Sequence, residues 1–220
     1  MQDLDQLPGE LVPVQHELPQ ALWMKNDVHG IVRKPVFHLV RIAKGFQQAL
    51  DFILRQQEPY PGIVIDGHWD VRMRNQGSAR LLKPFRDSYA MENNLADNAM
   101  HVVFHPKGLR QFMLNWDEFA RQLIQILHRD VAQGSRAAAQ LLDEIMTYPG
   151  LSAEWRFPRH SAASSPVMIM QLAKGDFRLA FFSTFTTLAM PTDAALQQIK
   201  IECFFPADSA TAEKARQLAL

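Results

Sequence analysis

Apolar residues at Leu39, Ile42, Ala43, Phe46, Ala49, Leu50 and Ile53 recur at intervals of three and four, which predicts an amphipathic helix over 37–54. The stretch Glu58-Pro59-Tyr60-Pro61-Gly62 ends it, because proline cannot continue the hydrogen-bond ladder. Ile63-Val64-Ile65 and His68–Met73 then flank Asp66-Gly67, a pair suited to the positive φ of a type I′ turn, so a β-hairpin is expected. Trp69, Val71 and Met73 alternate with Asp70, Arg72 and Arg74, which gives the second strand one apolar and one wet face. Asn75 sits where this pattern stops and is the expected N-cap of a helix carrying Ala79, Leu81, Leu82 and Phe85.

A polar connector over 87–97 leads to Met100-His101-Val102-Val103-Phe104. The clearest helix opens at Asn115, where Glu118 completes a capping-box pattern and Leu114 with Phe119 has hydrophobic-staple spacing. Its expected buried stripe is Trp116, Phe119, Ala120, Leu123, Ile126, Leu127 and Val131. A further helix over 135–147 stops at Tyr148-Pro149-Gly150. The period then changes, and strands are expected over 167–172, 177–188 and 199–205, broken by Gly175-Asp176 and by Met190-Pro191-Thr192-Asp193. Ile199, Ile201, Cys203 and Phe205 share one face of the last strand, Lys200 and Glu202 the other, and a short helix over 212–220 closes the chain. The pattern is α+β: a five-stranded antiparallel sheet with helices inserted between strands two and three and a helix ahead of the first. Residues 1–36, with Pro8, Pro13, Pro19 and Pro35, read as an irregular arm with one short helix around Leu22, and 37–220 as the folded domain.

Charge narrows the function classes. Lys plus Arg number 23 and Asp plus Glu number 23, so the formal charge is zero and nothing suggests a stand-alone nucleic-acid binder. A single cysteine excludes an internal disulfide and fits a reducing, cytoplasmic compartment. No apolar run approaches the roughly 20 residues that span a bilayer.

Catalytic patterns are scarce. There is no nucleophile elbow, phosphate loop or dinucleotide fingerprint. His101 and His105 have the four-residue spacing of a metal pair, but Pro106 ends any helix there and no third ligand is expected nearby. Cys203, mid-strand among apolar neighbours, is expected to be inert. No catalytic residue, metal or cofactor is therefore expected. The aromatic side chains Phe104, Phe112, Trp116, Phe119, Phe181, Phe182, Phe185, Phe204 and Phe205 admit two readings: an aromatic core, or the wall of an apolar ligand cavity. Phe181 and Phe182 must point to opposite faces of their strand, so one ring leaves the core side.

Several blocks in order then carry a resemblance. They are Trp69-Asp70-Val71 with Asn75 and the small/Leu helix after it; Phe104-His105-Pro106-Lys107-Gly108-Leu109-Arg110 with Asn115-Trp116; Tyr148-Pro149-Gly150; Phe181-Phe182-Ser183-Thr184 with Thr187; and Ile201 through Asp208. Over about residues 45–215 the chain resembles the MmyB-like transcription regulator ligand-binding domain, the C-terminal half of helix-turn-helix regulators of the Xre type. The resemblance implies a PAS-like fold and a sensor for a small lipophilic molecule, with fatty acid as the precedent. In such a sensor the expected ligand contacts are Phe104, His105, Arg110, Phe112, Trp116, Phe119, Phe181 and Phe185. A homodimer without enzyme activity is expected, with DNA reached only through a helix-turn-helix module that residues 1–36 do not resemble. In one place the chain departs from the family, where Asp97 rather than arginine precedes Asn98; Arg110 or His105 is the expected substitute toward an acidic ligand. The competing expectation is a ligand-free domain that dimerises through its sheet or arm. A cavity of about 300 Å³ or more would separate the two.

Overall fold

A computed structural model describes residues 34–85, 97–158, 167–188 and 198–220, with side chains from residue 45. The arm up to residue 33, the connector over 86–96 and the break around Met190–Asp193 lie outside the described residues. Helix α1, Lys34–Gln56, begins three residues earlier and ends two later than its apolar period predicts. Strands β1 (Gly62–Ile65) and β2 (Val71–Arg74) follow, then helix α2 (Gln76–Leu82) and a 3₁₀ turn over 83–85. Next come α3 (Ala99–Phe104), α4 (Trp116–Ala132) and α5 (Arg136–Ile145). Strands β3 (Ile169–Lys174), β4 (Phe177–Thr186) and β5 (Lys200–Pro206) precede the closing helix α6 (Ser209–Gln217). The strands form one antiparallel sheet in the order β2-β1-β5-β4-β3, with the helical block inserted between β2 and β3, so the fold is the α+β, PAS-like one expected.

The sheet is covered on both faces. On one side α1 lays Phe46, Leu50 and Leu54 against Val64, Ile201 and Cys203. On the other, α3, α4 and α5 bury Met100, Phe104, Phe119, Leu123, Leu127 and Ile145 against Ile65, Leu172, Leu179 and Phe181. The expected face of β5 is found, since Ile199 and Phe205 join Ile201 and Cys203 in the α1 layer.

Three local expectations are corrected. The β1–β2 connection is not a two-residue type I′ turn at Asp66-Gly67 but a loop over 66–70, and Trp69, not Gly67, takes the left-handed conformation at φ 65°. The Asp66 carboxylate explains the choice: Oδ1 accepts from the His68 and Asp70 amides at 2.8 and 3.1 Å, while Oδ2 pairs with Arg72. The strict alternation expected in β2 fails too. Ile65 pairs with Val71 and Val64 with Met73, so β2 carries one extra residue, a bulge. Val71 therefore faces the α3–α5 side, Met73 the α1 side, and Arg74, opposite Ile63, returns to the first. Finally, the capping box at Asn115 does not form, and Leu114 is exposed rather than stapled to Phe119. Instead Asn115 Nδ2 donates to the Ile169 carbonyl at 2.8 Å and Oδ1 accepts from the Gln171 amide at 3.1 Å.

Asn75 does cap α2, accepting from the Ser78 amide at 3.0 Å, and it does more. Fully buried, it also accepts from the Gly62 amide and donates to the carbonyls of Leu54 and Tyr60, so one side chain joins the end of α1, the start of β1 and the start of α2. Gly77 lies so close under this junction that a Cβ there would sit 2.6 Å from the Tyr60 carbonyl oxygen. At the β3–β4 turn Gly175 takes a φ of 58°, the conformation a two-residue hairpin requires.

Candidate functional site

Between the sheet and its helical cover lies an apolar cavity of about 110 Å³. Its floor is sheet: Ile63 of β1, Met170 of β3, Phe181 of β4 and Phe204 of β5. Its roof is helix: Met100 and Val103 of α3, with Phe119 and Leu123 one turn apart on α4. Leu82, Phe85 and Trp69 complete the apolar lining.

The polar groups on this lining are few, and each has a distinct situation. Ser78 Oγ donates to the Gly62 carbonyl and accepts from its amide, at 3.0 and 3.1 Å, so it is committed to the backbone. Arg74 is turned to this face by the bulge and reaches the Asp97 carboxylate at 4.0 Å. Glu202 is 7% exposed, and loss of water raises its carboxyl from 4.5 to about 7, a rise that a hydrogen bond from Ser183 partly offsets. No ion pair to Glu202 occurs among the described residues. In the sheet, Arg74, Ile63, Glu202 and Phe185 stand opposite one another across β2, β1, β5 and β4.

Of the side chains expected to meet a ligand, Phe119 and Phe181 line the cavity together. Phe104 is fully buried one layer away, edge-on to Trp116 at 5.4 Å. Trp116 lies beneath the Arg110 guanidinium, 4.8 Å from its ring centroid. Arg110 itself clamps the Pro149 and Gly150 carbonyls at 2.7 and 2.9 Å, so it holds the turn after α5. Phe112 packs edge-on against Phe85 from outside the cavity. Phe185 is not part of the lining; 36% exposed, it stands edge-on to Trp69, which is. His105 packs on the Tyr148 ring, and removal from water, with the Lys107 and His101 charges added, holds its imidazole below the usual range. His101 Nδ1 lies 2.8 Å from the Tyr148 hydroxyl and Nε2 3.3 Å from Glu144. Among the described residues no three metal-binding side chains converge. Cys203 is buried on the α1 face, where burial first and the Glu202 charge second push its thiol up.

Glu202, Arg74 and Trp69 were not among the expected ligand contacts. For Glu202 a signal existed, because Phe204 shares its face and a large ring there marks a second buried layer. For Arg74 none did, since its face depends on the bulge.

A PAS-like sheet with helices on both faces thus holds, in one layer, a concave and mostly apolar site of the kind that takes a small molecule. Residues 46–218 match the model of the MmyB-like transcription regulator ligand binding domain, and the chain belongs to that family. Its role is therefore ligand sensing in transcriptional regulation. No curated protein matches the chain. No described helix is long and apolar enough to cross a membrane.

Proposed function

We propose that this domain is the sensor half of an Xre-type helix-turn-helix regulator. In this reading it binds a small lipophilic molecule that is fatty-acid-like in joining an apolar body to one polar head. The cavity between sheet and α3–α4 carries the reading: its surface is almost wholly apolar and its few polar groups converge at the sheet. Phe119 and Phe181 contact the ligand, while Phe104, Phe112 and Trp116 hold the roof in place, Arg110 and His105 fix the turn behind it, and Phe185 braces the Trp69 ring. DNA is reached through a separate helix-turn-helix module, and the regulator works as a cytoplasmic homodimer.

The size of the cavity suggests the mechanism. An apolar cavity of about 150 Å³ holds benzene, so about 110 Å³ admits only a slender or short group without movement. A longer chain is taken up by lifting Phe119 and Leu123, and with them α4. Occupancy shifts the protein only through this difference in affinity between the lifted and seated roof.

A second reading, a ligand-free dimerisation domain, draws on two observations. The cavity falls short of the roughly 300 Å³ of ordinary ligand pockets. On the opposite sheet face Phe182 and Phe205 stack at 5.4 Å and are only half-buried. Mass spectrometry of the purified protein under native and then denaturing conditions separates the two. Release of a near-stoichiometric lipid-sized species supports the sensor; a clean apo mass with no rise in melting temperature on adding fatty acids or related lipids, fatty amines and alcohols included, refutes it in favour of the dimerisation domain.

A further inference from the structure

The geometry points to a ligand whose polar head donates a hydrogen bond to Glu202, an amine above all and an alcohol next, rather than a carboxylate. This rests on the sensor reading of the cavity and concerns the chemistry of the head. Three polar side chains reach the lining, and two already face groups of the chain itself. Ser78 is bonded both ways to the Gly62 backbone. The Arg74 charge faces the chain's own carboxylate, Asp97. Glu202 is the exception: its carboxyl is buried, turned into the cavity, and met by the Ser183 hydroxyl with no cation paired to it among the described residues.

The helical cover of the cavity presents apolar groups. These are Met100, Val102 and Val103 from α3, Leu109 from the turn after it, and Phe119 and Leu123 from α4. Neighbouring strands place Ile63 and Phe185 beside it, and the cations on its face, Arg74 beyond Ile63 and Lys200 two residues back, face Asp97 and Asp130. A carboxyl held this way is stable only with its proton, or with a donor brought from outside, because an unpaired buried charge is strongly disfavoured. An amine head supplies three N–H donors and a positive charge to share or exchange the proton. A carboxylate head instead meets a second acidic group in the same low-dielectric space, where two like groups cannot both ionise. The ligand body then runs under Phe119 and Leu123 and across Phe181, the apolar length of the cavity.

The test uses matched probes in the full chain at mildly alkaline pH: hexylamine, hexanol and hexanoate, with their dodecyl counterparts, titrated by thermal shift and by tryptophan fluorescence. The expected order is amine, alcohol, carboxylate. In Glu202→Gln, which keeps the shape and the Ser183 contact, amine affinity falls about tenfold or more while alcohol affinity stays within about twofold. Carboxylate binding rises as the acidic neighbour is removed. A wild-type preference for the carboxylates, or a ranking unchanged by Glu202→Gln, overturns the assignment of the head while leaving the sensor reading intact. Failure of every probe to bind the wild-type chain overturns both.

Discussion

Replacing Glu202 by glutamine also isolates an effect on folding that needs no ligand. The native carboxyl holds its proton up to about pH 7, whereas the unfolded chain releases it near 4.5. Between these values the native state binds more protons than the unfolded state, so stability is whole below 4.5 and falls as pH rises toward 7, then levels. At about 1.4 kcal/mol per pH unit the gap from 4.5 to about 7 corresponds to about 3 kcal/mol. Glutamine fills the same space without titrating. Urea unfolding of both proteins across pH 4–9 gives the difference in stability directly, and other titrating groups cancel in that difference. The variant gains on the wild type by about 3 kcal/mol over the window and holds the gain above it. Parallel curves, or a gain in the acid direction, would refute the argument that Glu202 is buried without a compensating cation.

Three further outcomes follow from the packing. Asn75→Ala removes four hydrogen bonds at one buried junction and lowers the urea-derived stability by about 3 kcal/mol; a loss under about 1 kcal/mol would mean that water replaces the amide. Gly77→Ala forces a Cβ to within 2.6 Å of the Tyr60 carbonyl oxygen and destabilises by about 1–3 kcal/mol, read as a drop in melting temperature. Adding a bound amphiphile changes amide hydrogen exchange along α4, most in its C-terminal half, and identical exchange with and without ligand would sink the lifting roof.

The sequence carried the elements because their periods are local. Phe46, Leu50 and Leu54 on α1, or Ile201, Cys203 and Phe205 on β5, announce a face within a few residues. What failed was decided at a distance. Asn115 has the right neighbours for a capping box, yet its side chain bonds β3, more than fifty residues away. The bulge that turns Arg74 toward the cavity depends on how β2 meets β1, and the turn at Asp66 on a carboxylate that holds two amides. Which of the aromatic side chains reach the cavity was not legible, because alternation gives a face and not a depth. Phe104 and Phe181 have the same kind of neighbours in sequence, and only packing sets one behind the roof and the other beneath the cavity. Glu202 was visible as the polar half of a strand and invisible as a buried acid, since alternation separates faces without saying that both are covered.

The attachment of Asn115 to β3 has a mechanical consequence. Its two side-chain bonds, with the Leu114 amide donating to the Gln171 carbonyl at 2.8 Å, bolt the first turn of α4 to the edge of the sheet. The far half of α4 is held in a different way, by burial: Ile124 and Leu127 sit in the core, His128 Nε2 lies 2.8 Å from the Trp155 carbonyl oxygen, and Lys200 Nζ pairs with Asp130 at 3.1 Å. The 17 residues span about 25 Å, so a tilt of about 5° about Asn115 displaces the far end by about 2 Å. Phe119 and Leu123 lie on the half nearer Asn115. In the proposed sensor a ligand that lifts them therefore has to move Ile124 and Leu127 within their packing, which sets the cost of the motion at the end of the helix farthest from the strand that holds it.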